Sequence, residues 1–250
     1  MRATLKIFLI LSLFTGSLFA QETHVVVRAK ANDAKFIGSS IGGAKIIVRD
    51  AVTGEILDQG MTSGSTGNTA KIMKQPHERG VALSEENTAG FVATLDIQEP
   101  VFVTVEAIAP FNKKQARVLS STQLWVIPGK DITGDGVLLQ IPGFVVDILS
   151  PQTHEALSAD HKVEIKANVV MMCGCPVTDG GLWDAKQYEV KAVISRDGEK
   201  VKEIPLQIGE KSSTFSAEAE LEKGLYEVLV YAYDPVSSNT GVDKTNIIVN

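Results

Sequence analysis

Apolar and polar residues alternate along short stretches of this chain, and glycine, proline or polar residues end each stretch. Alternation with a period of two is typical of a strand with one buried face, and no helical period lasts beyond a turn or two. In the first half the pattern predicts strands at residues 24–28, 44–49, 55–59, 91–97, 101–108, 123–127 and 137–141. This half is therefore predicted to be all β.

The pattern starts again after Pro142-Gly143 and continues to the end of the sequence. It predicts seven further strands, at residues 145–151, 163–173, 188–195, 203–207, 215–221, 226–234 and 244–249. Because each half completes its own set of strands, we expect an all-β protein with two tandem β-sandwich domains, 21–142 and 143–250. Almost no linker separates them, so the two sandwiches should stack closely.

Three short segments of the first half carry a family resemblance. They are residues 43–50 (GAKIIVRD), 53–57 (TGEIL) and 60–62 (GMT). Together they resemble the transthyretin-like, carboxypeptidase-regulatory-like sandwich domains, which are mostly non-catalytic. The resemblance covers about forty residues, so it bears on fold more than on function.

The second half resembles an immunoglobulin-like or fibronectin-like domain. The resemblance depends on its seven strands and on Gly224-Leu225-Tyr226, which enters the sixth strand where a tyrosine corner would lie. The cysteine pair that joins the two sheets of antibody domains is missing.

Residues 1–20 combine the basic residues Arg2 and Lys6 with an apolar run and small residues that end at Ala20. This order is typical of a secretory signal peptide. We therefore expect export to the periplasm or the extracellular space, with a mature chain that starts at Gln21.

Two alternatives to that cleavage stay open. Leu18 is large for the position three residues before the cut, so cleavage after Ser17 or a retained anchor are the alternatives. No second apolar run follows, and the mature chain is not expected to contain a membrane span.

The charge balance argues against a nucleic-acid partner. The 250 residues contain 24 Lys and Arg against 30 Asp and Glu, and removal of the signal segment leaves 22 bases, a formal net charge of −8. A phosphate-binding surface needs clustered Lys and Arg, and no basic run exceeds Lys113-Lys114.

The only two cysteines lie in the segment VVMMCGCP at residues 169–176. In an extended strand, residues two apart share a face, so the sulfurs of Met171, Cys173 and Cys175 would point to one spot until Pro176 ends the strand. In an immunoglobulin-like topology this end of the second strand returns to the linker. The sulfurs should therefore face the first domain.

The sequence is compatible with three states of the two cysteines. A disulfide or a redox-active dithiol is the first, although an extended strand puts the two Cα atoms about 6.6 Å apart and Gly174 would have to let the chain curl. The second is a soft-metal site, in which Met171, Cys173 and Cys175 bind copper(I), or zinc if histidine or carboxylate completes the ligands. The third is a pair of inert thiols.

The remaining motifs do not form a catalytic or metal-binding set. Residues 131–136 have the oxygen spacing of half a calcium loop, but position twelve is Pro142 instead of Glu, so we predict a plain turn. Residues 64–68 lack the end of a phosphate loop, so we predict a flexible connection at 64–90. The histidines are scattered, and His77 alone is on a loop that could reach the cysteines.

These observations favour an exported, non-catalytic tandem β-sandwich protein that binds or braces another protein, or assembles with itself. A copper(I)-binding or copper-chaperone protein using Met171, Cys173 and Cys175 is the first alternative. A thiol oxidoreductase using Cys173 and Cys175 is the second, and it is the only enzymatic one.

Overall fold

The computed structural model describes residues 21–159 and 162–250. The predicted signal segment at residues 1–20, and His161, lie outside the described residues. Within these ranges the chain forms sixteen strands, one short α-helix and three 3-10 turns, so the all-β prediction is confirmed.

The first half contains β1 (Gln21–Ala31), β2 (Lys45–Asp50), β3 (Ile56–Met61), α1 (Thr69–Met73), β4 (Phe91–Ile97), β5 (Val101–Ala109), β6 (Val118–Val126) and β7 (Ile132–Ile141). The second half contains β8 (Phe144–Ser150), β9 (Glu155–Leu157), β10 (Val163–Met171), β11 (Glu189–Arg196), β12 (Glu199–Pro205), β13 (Gln207–Ile208), β14 (Thr214–Ala219), β15 (Gly224–Tyr233) and β16 (Thr240–Val249). The 3-10 turns are Ser39–Ile41, Lys114–Ala116 and Ala185–Gln187.

The first half is a sandwich of two sheets with strand orders β4-β1-β7 and β3-β2-β5-β6. β1 and β7 pair in parallel, whereas the other pairs of these sheets are antiparallel. Alternate residues of β1 and β5, such as Val25, Val27, Val103 and Val105, are fully buried in the core. The alternating pattern of the sequence therefore corresponds to a real inward face.

The predicted plain turn at residues 131–136 is instead a bulge inside β7. Val25 of β1 pairs with Ile132 and Val27 pairs with Val137, so four residues of β7 stand opposite one residue of β1. Gly134 and Gly136 both have positive φ angles in this bulge. A glycine-rich segment reads as a turn in the sequence, but here the strand resumes after it with its pairing intact.

The connection at residues 64–90, predicted as flexible, has defined structure. Asn68 caps α1, because its Oδ1 accepts hydrogen bonds from the backbone N–H groups of Ala70 at 3.0 Å and Lys71 at 3.3 Å. Further along, the backbone N–H groups of Leu83 and Ser84 each donate to the carboxylate of Asp135 at 2.7 Å. The connection is thus held to the β7 bulge.

The second half is an immunoglobulin-like sandwich. Its sheets have the orders β13-β14-β10-β8 and β12-β11-β15-β16-β9. The first order corresponds to strands D-E-B-A and the second contains C-F-G, which is the immunoglobulin arrangement. The side-chain O–H of Tyr226 donates to the backbone oxygen of Glu222 at 3.0 Å, as expected of a tyrosine corner.

The core register of the second half follows the predicted alternation. Val228 and Val230 on β15 are fully buried, as are Ile165 and Val169 on β10. β9 was not predicted, because it is only three residues long and pairs in parallel with the end of β16.

No sheet in the described part of the chain contains strands from both sides of Pro142. The buried apolar residues nevertheless form one cluster that runs through both halves. Independent folding of 21–142 and 143–250, and the transthyretin-like resemblance of the first half, stay predictions. No helix among the described residues is long and apolar enough to cross a membrane.

Candidate functional site at the domain junction

The cysteines lie in a tight turn that we call the sulfur turn, residues 171–176. β10 ends at Met171, two residues earlier than predicted. The N–H of Gly174 donates to the carbonyl of Met171 at 2.7 Å, and the N–H of Met171 donates to the carbonyl of Cys175 at 3.1 Å. The chain therefore reverses direction.

This reversal makes the predicted extended strand from Met171 to Cys175 wrong. Gly174 has a φ angle of 77°, a left-handed conformation that glycine adopts without steric cost. The extended geometry expected from the alternating pattern ends at Met171, before the first cysteine, and Gly174 then lets the chain turn back between the two cysteines.

Cys173 and Cys175 are joined by a disulfide. Their Cα atoms are 5.4 Å apart, closer than the roughly 6.6 Å of an extended strand, because the turn brings them together. The two residues are only 1% and 5% exposed. No free cysteine exists in the described ranges.

The disulfide constrains the predicted metal site. Copper(I) binding needs thiolates, so Met171, Cys173 and Cys175 could serve as ligands only in the reduced protein. In the described residues, no group of three His, Cys, Asp or Glu is placed to hold a metal ion. The copper(I) site stays a prediction, confined to the dithiol state.

Met171 is buried in the core beneath an aromatic pair. Its sulfur lies 4.0 Å from the hydroxyl of Tyr188, and the ring of Tyr188 meets the ring of Phe144 edge-on at 5.0 Å. Burial, and then the negative charges of Asp234, Asp33 and Asp184, raise the pKa of Tyr188 well above its ordinary value. The phenol is therefore neutral at physiological pH.

The sulfur turn faces the first half, as predicted. A Cβ atom placed on Gly174 would lie 3.4 Å from side-chain atoms of Ile41, which belongs to the first half. The indole N–H of Trp183, just beyond the turn, donates to the backbone oxygen of Asp33 at 2.9 Å. Two elements of the second half thus contact the segment that follows β1.

Asn239 provides the main polar contact between the halves and was not predicted. Its Oδ1 accepts hydrogen bonds from the N–H of Gly143 at 2.8 Å and from the side chain of Asn32 at 3.1 Å. Its Nδ2 donates to the backbone oxygen of Asn32 at 3.2 Å. One fully buried amide therefore binds the linker and the first half together.

A second polar contact joins the halves on another side of the junction. The Nζ of Lys113 lies 2.7 Å from the carboxylate of Asp147, and the Nε2 of Gln115 donates to the same carboxylate at 2.6 Å. Lys113 and Gln115 belong to the loop before β6, whereas Asp147 is on β8. The junction is thus held at several points.

Acidic groups at the junction lie close enough to influence one another. Burial and the nearby charge of Asp234 raise the pKa of Asp33, although Lys30 opposes the shift. Burial also lowers the pKa of Lys30, against the effect of Asp33. Asp234 itself is buried and accepts a hydrogen bond from the N–H of Val236 at 2.9 Å.

The described histidines are not brought to the sulfur turn. His24 lies beside Glu22 and Asp131 at the start of β1, and the backbone of His154 binds Asn246 near the end of β16. His77 lies in a groove formed by its own connection. The idea that His77 reaches the cysteines has no support from these contacts.

No protein-family model matches this chain, and no curated protein matches it. Among solved structures, the fibronectin(III)-like modules of Clostridium thermocellum CbhA are 13% identical, with a TM-score of 0.30 over 92% of this chain and 94% of that chain. The titin domains z1z2 in complex with telethonin are 11% identical, with a TM-score of 0.25 over 92% and 96%.

An engineered protein is 16% identical, with a TM-score of 0.33, and the match covers 50% of this chain and 24% of that chain. Because all three scores are below 0.5, the immunoglobulin-like assignment of the second half depends on its strand order and its tyrosine corner.

Proposed function

We propose that this chain is an exported, non-catalytic scaffold that acts through contact with a protein partner, either a different protein or a second copy of itself. The observation that supports this is the use of the two cysteines: both are bonded to each other and buried where the two sandwiches meet. The sulfur turn therefore stabilises a rigid two-domain body and presents no reactive group to solvent.

The thiol-redox alternative is favoured by one observation, the disulfide between cysteines two residues apart. Reduction would require an external thiolate to attack one sulfur, form a mixed disulfide and release the other cysteine as a thiolate, after which a second thiol completes the exchange. Burial of both sulfurs blocks that approach while the junction is closed, so we place this function second.

The test uses the protein in its native compartment. Chemical cross-linking followed by size analysis is carried out on the wild type and on the double variant Cys173→Ala, Cys175→Ala, with circular dichroism to confirm that the variant is folded. If the chain acts by contact, both proteins are captured in the same larger complex. A chain captured only as a monomer contradicts the proposal.

The sulfur chemistry is tested on the reduced protein. If Met171, Cys173 and Cys175 bind copper(I), one equivalent is taken up in competition with a chelator, and each single Cys→Ser variant loses it, because a hydroxyl is a poor substitute for a thiolate. Met171→Leu only weakens uptake. If the pair is redox-active, either serine variant abolishes exchange with a dithiol while copper is never bound.

A further inference from the structure

β6 lies at the edge of its sheet and differs from the other edge strands. Within residues 21–159 and 162–250, β5 is the only strand that pairs with β6. Its sequence, VLSSTQLWV, contains no charge, no proline and no glycine over nine residues. Every second residue therefore directs an unpaired N–H and C=O away from β5, on an edge with high strand propensity.

The other edges of the described sheets have the protection that edge strands usually carry. β12 has four charged residues, β7 is bulged, and β9 and β13 are three and two residues long. β3 and β4 lie against each other, and Asp58 of β3 accepts a hydrogen bond from the N–H of Thr94 on β4. β8 packs against β16, where Asp243 accepts from the N–H of Ile148. β6 lacks these protections: it is nine residues long with no charge, proline or bulge, and where it lies near β7 no hydrogen bond joins the two strands in the described part of the chain.

Two large apolar side chains on β6 point to solvent. Trp125 is 63% exposed and Leu119 is 57% exposed. On β5, Phe102 pairs with Trp125 and Ile108 pairs with Leu119. Each exposed side chain of β6 therefore has an apolar cross-strand neighbour on the same face of the sheet. The ring of Phe102 lies 5.1 Å from that of Trp125.

The order of side chains along β6 is nearly the same in both directions. If two copies pair antiparallel about a two-fold axis at Thr122, Val118 stands opposite Val126, Leu119 opposite Trp125 and Ser121 opposite Gln123 of the other copy. Apolar residues then meet apolar ones at both ends and polar residues meet at the centre, while Ser120 opposite Leu124 is the one mixed type of pair. Shifting the axis to Gln123 would bring Pro128 opposite Val118, where the missing N–H breaks the ladder.

Charge does not oppose this arrangement. Glu106, the charged residue that pairs with the centre of β6, is neutralised by Arg49 at 3.2 Å. Arg117, at the start of β6, has its guanidinium over the ring of Phe111, 4.3 Å from the ring centroid, and donates to the backbone oxygen of Phe111. Neither basic residue is left facing the edge.

We infer that β6 is a dimerisation strand: two copies of this chain join their four-stranded sheets edge to edge, with Thr122 on the two-fold axis, into one sheet of eight strands. This inference rests on the proposed function, since it names the partner as a second copy. The pairing is isologous, so it closes at the dimer and does not propagate. Backbone hydrogen bonds supply the contact, and the Leu119–Trp125 pairs set the register.

The first experiment tests the register through cysteines introduced into the full chain. Directly opposed Cβ atoms in an antiparallel pair are about 4.5–5.5 Å apart, so Thr122→Cys is expected to form an intermolecular disulfide on mild oxidation. Ser120→Cys is the matched control: it lies on the same face, but its copy is displaced by roughly 13 Å along the strand. Equal cross-linking of the two variants overturns the register.

The second experiment measures mass by sedimentation over a range of concentrations. Wild type is expected to be a dimer, and Thr122→Lys to sediment as a monomer because two like charges meet at the axis. Val201→Lys places the same charge on the exposed edge strand β12, and is expected to leave the dimer intact. Circular dichroism must show all three folded.

The outcomes separate this inference from the proposed function. A wild-type chain that is monomeric at every concentration, or a dimer that persists in Thr122→Lys, overturns the β6 dimer. If the β6 dimer is overturned in either way but cross-linking still captures a complex in the native compartment, the proposed function stands with a different partner or a different surface. If no complex is captured there either, both fail.

Discussion

Asn239 shows how much of the junction depends on one side chain. Its amide accepts from the linker N–H of Gly143 and from the side-chain nitrogen of Asn32, donates to the backbone oxygen of Asn32, and has no exposure to solvent. A buried N–H that loses its acceptor carries the full cost of desolvation. The residue therefore stabilises the approach of the two halves and not merely its own loop.

Replacing this amide is expected to be costly. Asn239→Ala leaves the Gly143 N–H without its acceptor, and we expect a loss of about 1–3 kcal/mol in the free energy of unfolding, measured by urea denaturation. Asn246→Ala, at an exposed position on β16, is the control and should change stability by less than about 0.5 kcal/mol. Equal losses would show that Asn239 is not the principal polar contact.

Single residues also show which features of the junction an alternating pattern does not encode. The position of the cysteines at the junction followed from strand counting, but the tight turn that joins them did not, because the left-handed φ of Gly174 cannot be predicted from an alternating pattern. Asn239 and Trp183 bind partners 207 and 150 residues away. No local pattern encodes contacts at that separation, so neither residue could be singled out.

At the scale of elements, alternation located most strands and missed their irregularities. It predicted residues 91–97 to the residue, whereas the β7 bulge was read as a turn and β9 was not seen. Glycine-rich segments look alike in a turn and in a bulge. What distinguishes them is the pairing partner, which lies in β1, more than 100 residues earlier.

Two glycines of the β7 bulge offer a matched comparison. A Cβ on Gly136 would lie 2.1 Å from the carbonyl oxygen of Val26, whereas a Cβ on Gly134 would meet nothing within 4 Å, and both residues have positive φ. We expect Gly134→Ala to cost about 1–2 kcal/mol of unfolding free energy from its left-handed backbone. Gly136→Ala should cost more, on the order of 4 kcal/mol, because β1 must move. Similar decreases in melting temperature for the two variants would contradict the close approach of Gly136 to Val26.

The contact between the bulge and the long connection should respond to pH. Burial raises the pKa of Asp135, but hydrogen bonds from Ser84 and Leu83, and the charge of Arg28, outweigh burial and hold it below its ordinary value. The stabilisation is therefore complete above the ordinary aspartate pKa and is lost as pH falls through the folded-state pKa.

The Asp135→Asn variant tests this assignment. We expect it to be less stable than wild type at neutral pH and to lose less stability on acidification, measured by urea denaturation across the acidic range. Asp96→Asn, at an exposed position on β4, is the control and should follow the wild-type curve. If the unfolding free energy of Asp135→Asn falls on acidification as steeply as that of the wild type, the assignment is wrong.

At the scale of the whole molecule, the sequence predicted two sandwiches but not the continuity of their cores. The chain has two tryptophans, one in each half, and Trp183 is buried at the junction while Trp125 is exposed. The Trp125→Phe variant therefore leaves a single fluorophore that reports on the contact between the halves.

We expect the emission of Trp183 in this variant to change in the same urea transition as the far-ultraviolet circular dichroism. The reason is that one buried cluster spans both halves, so separating them exposes apolar surface from each. The Trp183→Phe variant, which retains only the exposed indole, is the control for unfolding within the first half. An emission change that precedes the loss of strand signal would mean that the halves separate before they unfold.

The parallel pairing of β1 with β7, and of β16 with β9, affects how the molecule would respond to a mechanical force. β1 runs from the far end of the first sandwich towards the junction, and β16 runs from the junction to the far end of the second, where it pairs in parallel with β9. A force applied to Gln21 and Asn250 would therefore act along β1 and β16. It would load the hydrogen bonds of each strand in shear, so that they bear the force together and do not break one after another. Because Asn239 holds the linker at Gly143, the force would pass from one sandwich to the other without first extending the linker.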